Sequence, residues 1–279
     1  MTDRYAVIGN PIAHSKSPQI HAEFAKATGQ DMEYSALLAP LQEFRATVEK
    51  FCAQGGKGVN VTLPFKLEAL YIATTLSPQA KNAEAVNTLK FDSDSSILGH
   101  NTDGIGLIRD IQKNWGFAIK GKRVLLMGAG GAARGVAGPL VEEQPECLVI
   151  ANRSLDKVHQ LIKHLQQHTL IGATTLQASP YEQLGGRQFD LIINATASSL
   201  NDTLPPVPGS VFGSASFAYD MMYGRGLMPF LQFAQQQGAG VLADGLGMLV
   251  EQAAESFYLW RGVRPATEPV IALLKNASA

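Results

Sequence analysis

The sequence predicts an α/β protein built from two domains, each with a parallel sheet covered by helices. Three observations support this prediction. The chain has 279 residues, a length that suits two medium domains or one large domain. Short apolar runs typical of strands alternate with amphipathic segments typical of helices along both halves. A glycine-rich turn follows a buried apolar strand near the middle of the chain, between residues 124 and 137.

The composition excludes several classes of partner. Hydrophobic residues make up 46%, charged residues 17%, and the net charge is −1, as in an ordinary globular protein. No basic excess exists to neutralise phosphates, so we expect no nucleic-acid partner. No apolar run is long enough to span a bilayer, so we expect no membrane association. Cys52 and Cys147 lie far apart without metal-type spacing, which favours free thiols in a cytoplasmic protein and no metal site.

The central turn carries the strongest functional pattern. Val124–Met127 form a predicted buried strand, and Gly128-Ala129-Gly130-Gly131-Ala132-Ala133 follows as G-x-G-x-x-A. Gly128 permits the tight turn, Gly130 lets the backbone approach a pyrophosphate, and Ala133 keeps the helix close to the strand. The helix start adds free N–H groups. We predict a Rossmann-type dinucleotide site, with a plain strand-to-helix turn as the alternative.

The end of the next strand indicates which dinucleotide would bind. Cys147–Ala151 is followed by Asn152-Arg153-Ser154, and Lys157 lies one helical turn further on. An NAD site normally places an acidic residue at this strand end to accept from the ribose 2′-OH. Two cations and a hydroxyl suit a 2′-phosphate instead. We therefore predict a preference for NADP; the alternative is that Arg153 and Lys157 are solvated surface charges.

Two hydroxyl side chains stand at the first predicted helix. His14-Ser15-Lys16-Ser17-Pro18 follows the strand Tyr5–Gly9, and Pro18 suits the first helical position while Ser17 suits the N-cap. Together with free backbone N–H groups, Ser15 and Ser17 could receive a carboxylate. Simple capping by Ser17 and an ordinary turn serine at Ser15 are the alternatives.

A second group of polar residues follows the predicted strand Val59–Leu63. Strict alternation puts Asn60 and Thr62 on the polar face of that strand, and Lys66 comes directly afterwards at a helix start. Ligands bind at the carboxyl ends of parallel strands, so Lys66 is a candidate site residue. A solvated surface lysine is the alternative.

Two further polar residues stand in apolar surroundings. Asn87 lies inside the predicted strand Ala85–Leu89, where a buried amide needs partners, so it is either a structural amide or a hydroxyl receptor. Asp103 precedes a predicted helix, where it is either a functional carboxylate or the N-cap.

The strand–helix pattern also predicts where the domains divide. The long helix after Asp244-Gly245-Leu246-Gly247 either completes the nucleotide domain or returns to pack on the first domain, and we favour the return. The predicted first domain comprises residues 1–102 and 240–279, and the second comprises 103–239, with a cleft between them.

Taken together, these motifs resemble the shikimate dehydrogenase family. The resemblance runs in order along nearly the whole chain and includes long motifs from both predicted domains. It rests on Gly9–Pro18, Asn60–Lys66, Ala85–Thr88, Asn101–Gly104, Gly128–Ala132 and Ala243–Val250.

The resemblance implies NADPH-dependent, reversible reduction of 3-dehydroshikimate to shikimate, in the biosynthesis of chorismate and the aromatic amino acids. It implies a shikimate-binding first domain and an NADP-binding second domain. The implied shikimate contacts are Ser15, Ser17, Thr62, Lys66, Asn87, Asp103, Tyr223 and Gln252. The implied NADP contacts are Gly128, Ala129, Gly130, Gly131, Ala132, Asn152, Arg153, Ser154, Lys157, Met221 and Gly245.

Within that family chemistry, Lys66 and Asp103 form the natural catalytic pair. Lys66 either donates a proton or stabilises the developing negative charge, and Asp103 would orient it. One rival is a quinate/shikimate dehydrogenase that accepts NAD or NADP. Another is a non-catalytic nucleotide sensor, which would not need this pair. The oligomeric state stays open, with a homodimer as one option.

Two stretches depart from the family pattern. Pro78 stands where an acidic residue with a possible cofactor contact is common. Ala197-Ser198-Ser199 replaces a turn that often holds a glycine, so the loop near the nicotinamide is expected to differ.

Overall fold

The computed structural model describes residues 2–196, 198, 203–224 and 226–277. The chain divides into two compact units. The first contains the residues up to Gly106 together with Val250–Ala272, and the second contains Leu107–Leu249 together with the residues from Leu273 onward. Each unit is built on a six-stranded sheet, which confirms the predicted α/β class.

The first unit holds a mixed sheet in the order β2-β1-β3-β5-β6-β4. Its strands are β1 Asp3–Gly9, β2 Met32–Leu38, β3 Gly56–Val61, β4 Thr75–Leu76, β5 Thr88–Phe91 and β6 Ile97–His100. Its helices are α1 Ser17–Thr28, α2 Phe44–Ala53, α3 Lys66–Ile72 and α4 Pro78–Ala83, together with the start of α5 Asp103–Arg109 and most of α9 Leu246–Arg261.

The expectation of a parallel sheet is wrong for part of this unit. β1 runs parallel to β2 and β3, but β5 runs antiparallel to both β3 and β6. The reason is the short turn Asp92–Ser96, in which Asp92 N–H donates to the Ser96 carbonyl at 3.0 Å. Strands joined by so short a turn pair antiparallel, because a parallel pair needs a long crossover.

The second unit holds a fully parallel sheet in the order β12-β11-β10-β7-β8-β9. Its strands are β7 Arg123–Met127, β8 Cys147–Ala151, β9 Thr175–Ser179, β10 Leu191–Asn194, β11 Phe217–Asp220 and β12 Val241–Ala243. Its helices are α6 Gly131–Glu142, α7 Leu155–His168 and α8 Pro229–Gln236, with a π-helical turn at Asp110–Asn114. The last helix, α10, spans Glu268–Asn276.

Both faces of the second sheet are covered by apolar cores, with residues such as Leu126 on one face and Leu125 on the other, both fully buried. The chain order reverses between β7 and β10, which makes this the topological switch point of the sheet. Open parallel sheets bind ligands outside the carboxyl ends of the strands at such a point.

The predicted return of the chain at residue 240 comes too early. β12 pairs in parallel with β11, so its hydrogen bonds hold residues 241–243 in the second sheet. The chain re-enters the first unit only at Val250, within α9.

Among the described residues, no helix is both long enough and apolar enough to cross a membrane.

Candidate active site

Lys66 and Asp103 form an ion pair in the first unit. Lys66 begins α3 and Asp103 begins α5, and Lys66 Nζ lies 2.6 Å from Asp103 Oδ2. The side chains are 31% and 13% exposed, so both are shielded but reachable. Asp103 is the first residue of its helix and not the N-cap, since its own N–H donates to Asn101 Oδ1 at 3.0 Å. A lysine at a helix start is opposed by the helix dipole, and the carboxylate compensates for it.

The Asn87 amide holds the other oxygen of Asp103. Asn87 Oδ1 accepts from the Thr102 backbone N–H and from the Thr88 hydroxyl, each at 2.9 Å. A backbone N–H can only donate, so this contact identifies Oδ1 as the acceptor, and the Thr88 hydroxyl is the second donor that holds the amide in this orientation. Asn87 Nδ2 therefore faces Asp103 Oδ1, at 2.9 Å. Lys66, Asp103 and Asn87 form one hydrogen-bonded chain.

The sequence had predicted Asn87 inside a strand, but in the structure Asn87 lies just before β5. Its backbone N–H donates to the His100 carbonyl and its carbonyl accepts from Val61 N–H. Gln252, on α9, adjoins the amide, with Oε1 3.4 Å from Asn87 Nδ2 and 3.2 Å from Thr102 Oγ1.

The serine pair at α1 differs from the prediction in one respect. The helix begins at Ser17 with Lys16 as the N-cap residue, so Ser17 is not the N-cap. Instead Ser15 Oγ accepts from the Ser17 backbone N–H at 3.3 Å. Ser15 therefore caps the helix, because its side-chain oxygen accepts from the first backbone N–H of α1. The Ser17 side chain is buried, at 7% exposure.

Thr62 lies directly after β3 and not inside it. Its backbone N–H donates to the Ile8 carbonyl at 2.9 Å, and its carbonyl accepts from Phe65 N–H at 3.0 Å. Pro64 follows and ends the ladder, since proline has no N–H to donate. The turn brings the chain from β3 to Lys66 within a few residues.

The glycine-rich turn lies at the carboxyl end of β7 in the second unit. Gly128 has a φ of +110°, and a Cβ there would stand 3.0 Å from the Ala195 carbonyl oxygen. By contrast, a Cβ at Gly130 or Gly131 would meet no heavy atom within 4 Å. Gly130, Gly131 and Ala132 are exposed, and α6 begins at Gly131. Open backbone at the start of a 12-residue helix fits a pyrophosphate.

The end of β8 supplies the charges expected for a 2′-phosphate. Asn152 Nδ2 donates to the Ser154 carbonyl at 3.1 Å and closes the turn. Arg153 and Lys157 are both exposed, and α7 begins at Leu155. Burial raises the pKa of Tyr181 to about 12, and the nearby Arg153 charge opposes that rise. The residues present therefore fit NADP.

Met221, Tyr223 and Gly245 also belong to the second unit. β11 ends at Asp220, because Asp220 Oδ1 accepts from Met222 N–H at 3.0 Å and turns the chain. A Cβ on Gly245 would overlap the Met221 carbonyl, so only glycine allows this approach. Burial raises the pKa of Tyr223. Of the departing turn 197–199, Ala197 and Ser199 lie outside the described residues.

Sequence reasoning missed several buried polar residues around Asn87. Thr88, Thr102 and Ser256 are each fully buried. The available signal was the placement of Ser256 four residues after Gln252, which puts both on one face of α9.

A parallel sheet with an open glycine turn at its switch point, and a separate unit carrying a lysine–carboxylate pair, define a two-unit dehydrogenase of the dinucleotide-binding class. Three family models match the chain: shikimate dehydrogenase substrate binding domain over residues 7–89, shikimate / quinate 5-dehydrogenase over 110–201, and shikimate 5′-dehydrogenase C-terminal domain over 245–275. The chain belongs to the shikimate dehydrogenase family.

Individual relatives cover the whole length. Shikimate dehydrogenase (NADP(+)) of Nitrosospira multiformis is 59% identical, over 99% of this chain and 98% of the relative. The crystal structure of an Ael1 enzyme from Pseudomonas putida is similar with a TM-score of 0.92, 50% identity and 98% coverage of both chains. Shikimate 5-dehydrogenase from Thermus thermophilus, in complex with NADP(H) and shikimate, gives 0.86 at 31% identity, covering 99% of this chain and 100% of that chain.

Proposed function

We propose that this chain catalyses the NADPH-dependent, reversible reduction of 3-dehydroshikimate to shikimate in aromatic amino acid biosynthesis. The observation that carries the proposal is the pair Lys66–Asp103, with Asn87 on the second carboxylate oxygen. Support comes from the full-length relative named as an NADP(+)-dependent shikimate dehydrogenase. It also comes from the similar structure that was solved with NADP(H) and shikimate.

The proposed roles follow from charge and hydrogen bonding. NADPH supplies the hydride when it is bound. Lys66 faces the oxygen that gains negative charge, and it donates a proton to that oxygen or stabilises it as a cation. Asp103 holds the Lys66 ammonium at 2.6 Å. Asn87, in turn, fixes the rotation of the Asp103 carboxylate through Oδ1.

The substrate chemistry matches the polar residues proposed to bind it. Shikimate carries one carboxylate and three ring hydroxyls. Ser15 and Ser17 stand at the start of α1, where hydroxyls and N–H groups suit a carboxylate. The ring hydroxyls are proposed to be met by Thr62, Asn87, Asp103 and Gln252. Tyr223 is a further proposed shikimate contact, on the resemblance to the family. A site of this kind rejects analogues that lack a hydroxyl, because its own polar groups would lose their partners.

We further propose that the first unit binds the substrate and the second binds NADP. In the second unit the proposed contacts are Gly128, Ala129, Gly130, Gly131, Ala132, Asn152, Arg153, Ser154, Lys157, Met221 and Gly245. The open backbone at Gly130 and the exposed Arg153 and Lys157 support this assignment.

A homodimer is the assembly we propose, on the support of exposed apolar residues beside an edge strand. β2 lies at the end of the first sheet, and Leu38 and Leu41 are each 62% exposed. Analytical ultracentrifugation of the wild type and of the double variant Leu38→Ser with Leu41→Ser tests the homodimer. A wild type that sediments as a monomer would contradict it.

We also propose a cytoplasmic location, which the two free thiols Cys52 and Cys147 favour.

A quinate/shikimate dehydrogenase is the second candidate, since one matching family model carries both substrates in its name. Steady-state rates with shikimate and quinate, each with NADP⁺ and NAD⁺, separate the two. The proposal expects shikimate with NADP⁺ to give by far the highest kcat/KM. Comparable values for quinate or for NAD⁺ would favour the second candidate.

A further inference from the structure

The phenol of Tyr34, on β2, lies at one end of a hydrogen-bond path whose middle, at Asn60 and Thr88, is buried. Its hydroxyl donates to Asn60 Oδ1 at 2.7 Å, and its ring stacks on His21 with centroids 4.1 Å apart. Burial raises the pKa of Tyr34 well above its ordinary value, while the Ser17 hydroxyl opposes that rise. The phenol therefore stays protonated and donates to Asn60.

The hydrogen bond from Tyr34 fixes the orientation of the Asn60 side-chain amide. Its Oδ1 is taken by Tyr34, so its amide nitrogen faces Thr88 Oγ1 at 3.1 Å and Ser256 Oγ at 2.9 Å. Both hydroxyls are fully buried, and Asn60 is 6% exposed. The Thr88 and Ser256 hydroxyls donate their own hydrogens to Asn87 Oδ1 and to the Gln252 carbonyl. A reversed Asn60 amide would therefore turn its oxygen towards two hydroxyls with no hydrogen to donate, and buried polar groups that lose a partner are costly.

Thr88 completes the path to the ion pair. Thr88 Oγ1 receives a hydrogen from Asn60 and donates its own to Asn87 Oδ1 at 2.9 Å. Asn87 Nδ2 then donates to Asp103 Oδ1, whose other oxygen accepts from Lys66. Each donor in the sequence Tyr34, Asn60, Thr88, Asn87 points the same way along the path.

We propose that Tyr34 is a positioning residue. Through Asn60, Thr88 and Asn87, its hydroxyl keeps the Asp103 carboxylate in the orientation in which it binds Lys66. The inference rests on the proposed function. Tyr34→Phe removes one oxygen and keeps the ring on His21, so Asn60 loses the donor that fixes its amide.

The neighbouring strand offers a matched control. Tyr5 pairs with Tyr34 in the register of β1 and β2, is 3% exposed, and stacks on Trp260 at 4.7 Å. Its hydroxyl accepts from Arg261 Nη1 at 3.4 Å and so contacts a different side chain from Asn60. Tyr5→Phe therefore removes a similar hydroxyl from the same sheet without touching the path.

The experiment compares wild type, Tyr34→Phe and Tyr5→Phe in shikimate oxidation with NADP⁺, together with their melting temperatures. Tyr34→Phe is expected to lower kcat/KM for shikimate about tenfold, through a lower kcat and a higher KM, with the KM for NADP⁺ unchanged. Tyr5→Phe is expected to stay within about twofold of wild type.

Thr88 gives a second route that does not depend on the folding of Tyr34→Phe. Thr88→Val is expected to reproduce the loss, Thr88→Ser to restore the hydroxyl and the rate, and the double variant Tyr34→Phe with Thr88→Val to lose no more than one of them. Unchanged kcat/KM in both Tyr34→Phe and Thr88→Val, with a lower melting temperature only, overturns the positioning role. A wild type that does not oxidise shikimate overturns the proposed function itself.

Discussion

Lys66 and Asp103, separated by 36 intervening residues, meet with Nζ and Oδ2 2.6 Å apart. Each stands at the start of a helix, where a carboxylate is favoured and an ammonium is not. The Lys66 ammonium stands at a helix start that disfavours it, and the Asp103 carboxylate is close enough to compensate for this. A partly exposed ion pair contributes only about 0–1 kcal/mol to stability. The unfavourable placement of Lys66 is therefore better explained by function than by stability.

Lys66→Ala and Asp103→Ala should each lower kcat about 10²–10⁴-fold, the usual loss for a positioned proton-transfer group. The melting temperature should change little. The matched control is Lys90→Ala, since Lys90 Nζ lies 3.3 Å from Asp92 Oδ1 in a pair that is also partly exposed. Steady-state kinetics and thermal unfolding of the three variants check this; near-wild-type turnover in Lys66→Ala would remove that residue from the mechanism.

Ser15→Ala and Ser17→Ala should both raise the KM for shikimate, because each removes a hydroxyl proposed to bind its carboxylate. Their effects on stability should differ. Ser15 Oγ accepts from Ser17 N–H, so Ser15→Ala should cost about 1 kcal/mol of unfolding free energy as well. Ser17 supplies no such cap. Urea unfolding and KM measured on both variants decide the matter, and a loss of stability without a change in KM would leave capping as the only role.

Arg153→Ala should weaken the preference for NADP⁺ over NAD⁺, mainly by lowering kcat/KM with NADP⁺. Arg153 is exposed at the end of β8, where its planar guanidinium can pair with a 2′-phosphate. Lys163→Ala, an exposed lysine further along α7, is the control. The measurement is the ratio of kcat/KM for the two cofactors. If Arg153→Ala and Lys163→Ala left the same ratio as the wild type, Arg153 would be only a surface charge.

His21 should make the protein lose stability as the pH falls. Burial lowers the pKa of His21 to about 3 from its ordinary 6.5, with Asn60 opposing the shift. The unfolded chain therefore takes up a proton below about pH 6.5 that the folded chain does not. The stabilisation is complete above the unfolded pKa and declines as the pH falls towards 3, by about 2 kcal/mol at about pH 5.

The control for that prediction is His21→Phe, which keeps an aromatic ring against Tyr34 and removes the titrating group. Urea unfolding at about pH 7.5 and about pH 5 should show the wild type losing about 2 kcal/mol more than the variant over this interval. Equal losses in both proteins would mean that His21 is not kept neutral by its surroundings.

The second unit follows the sequence closely around the glycine-rich turn, because β7 and β8 are buried along most of their length and read as continuous apolar runs. Cys147–Ala151 was predicted as a strand with the bounds the structure gives. The first unit was harder. β2 is an edge strand with four of its seven residues exposed, so it lacks the apolar run that marks a strand. The hairpin β5–β6 depends on a short polar turn whose pairing direction the strand–helix pattern does not reveal.

The candidate site also has a part that the sequence predicted and a part that it did not. Lys66 after a strand, Asn87 inside an apolar run and Asp103 before a helix were each identified from their local sequence. The family resemblance then paired Lys66 with Asp103. What joins them is not local in sequence. Thr88, Thr102 and Ser256 bring hydroxyls from β5, the start of α5 and α9 to one buried point. Single hydroxyl residues in apolar segments are common, so no pattern distinguishes those that meet in the fold.

The activity proposed for this chain is the interconversion of 3-dehydroshikimate and shikimate with NADP. The most direct measurement is the loss of reduced-nicotinamide absorbance when the purified wild type receives NADPH and 3-dehydroshikimate, with shikimate identified as the product by chromatography. Lys66→Ala serves as the blank. We predict stoichiometric NADPH consumption and shikimate formation by the wild type, and at least about 10²-fold slower turnover by the blank. Wild-type protein that is folded yet forms no shikimate, or a blank that matches its rate, would contradict the account.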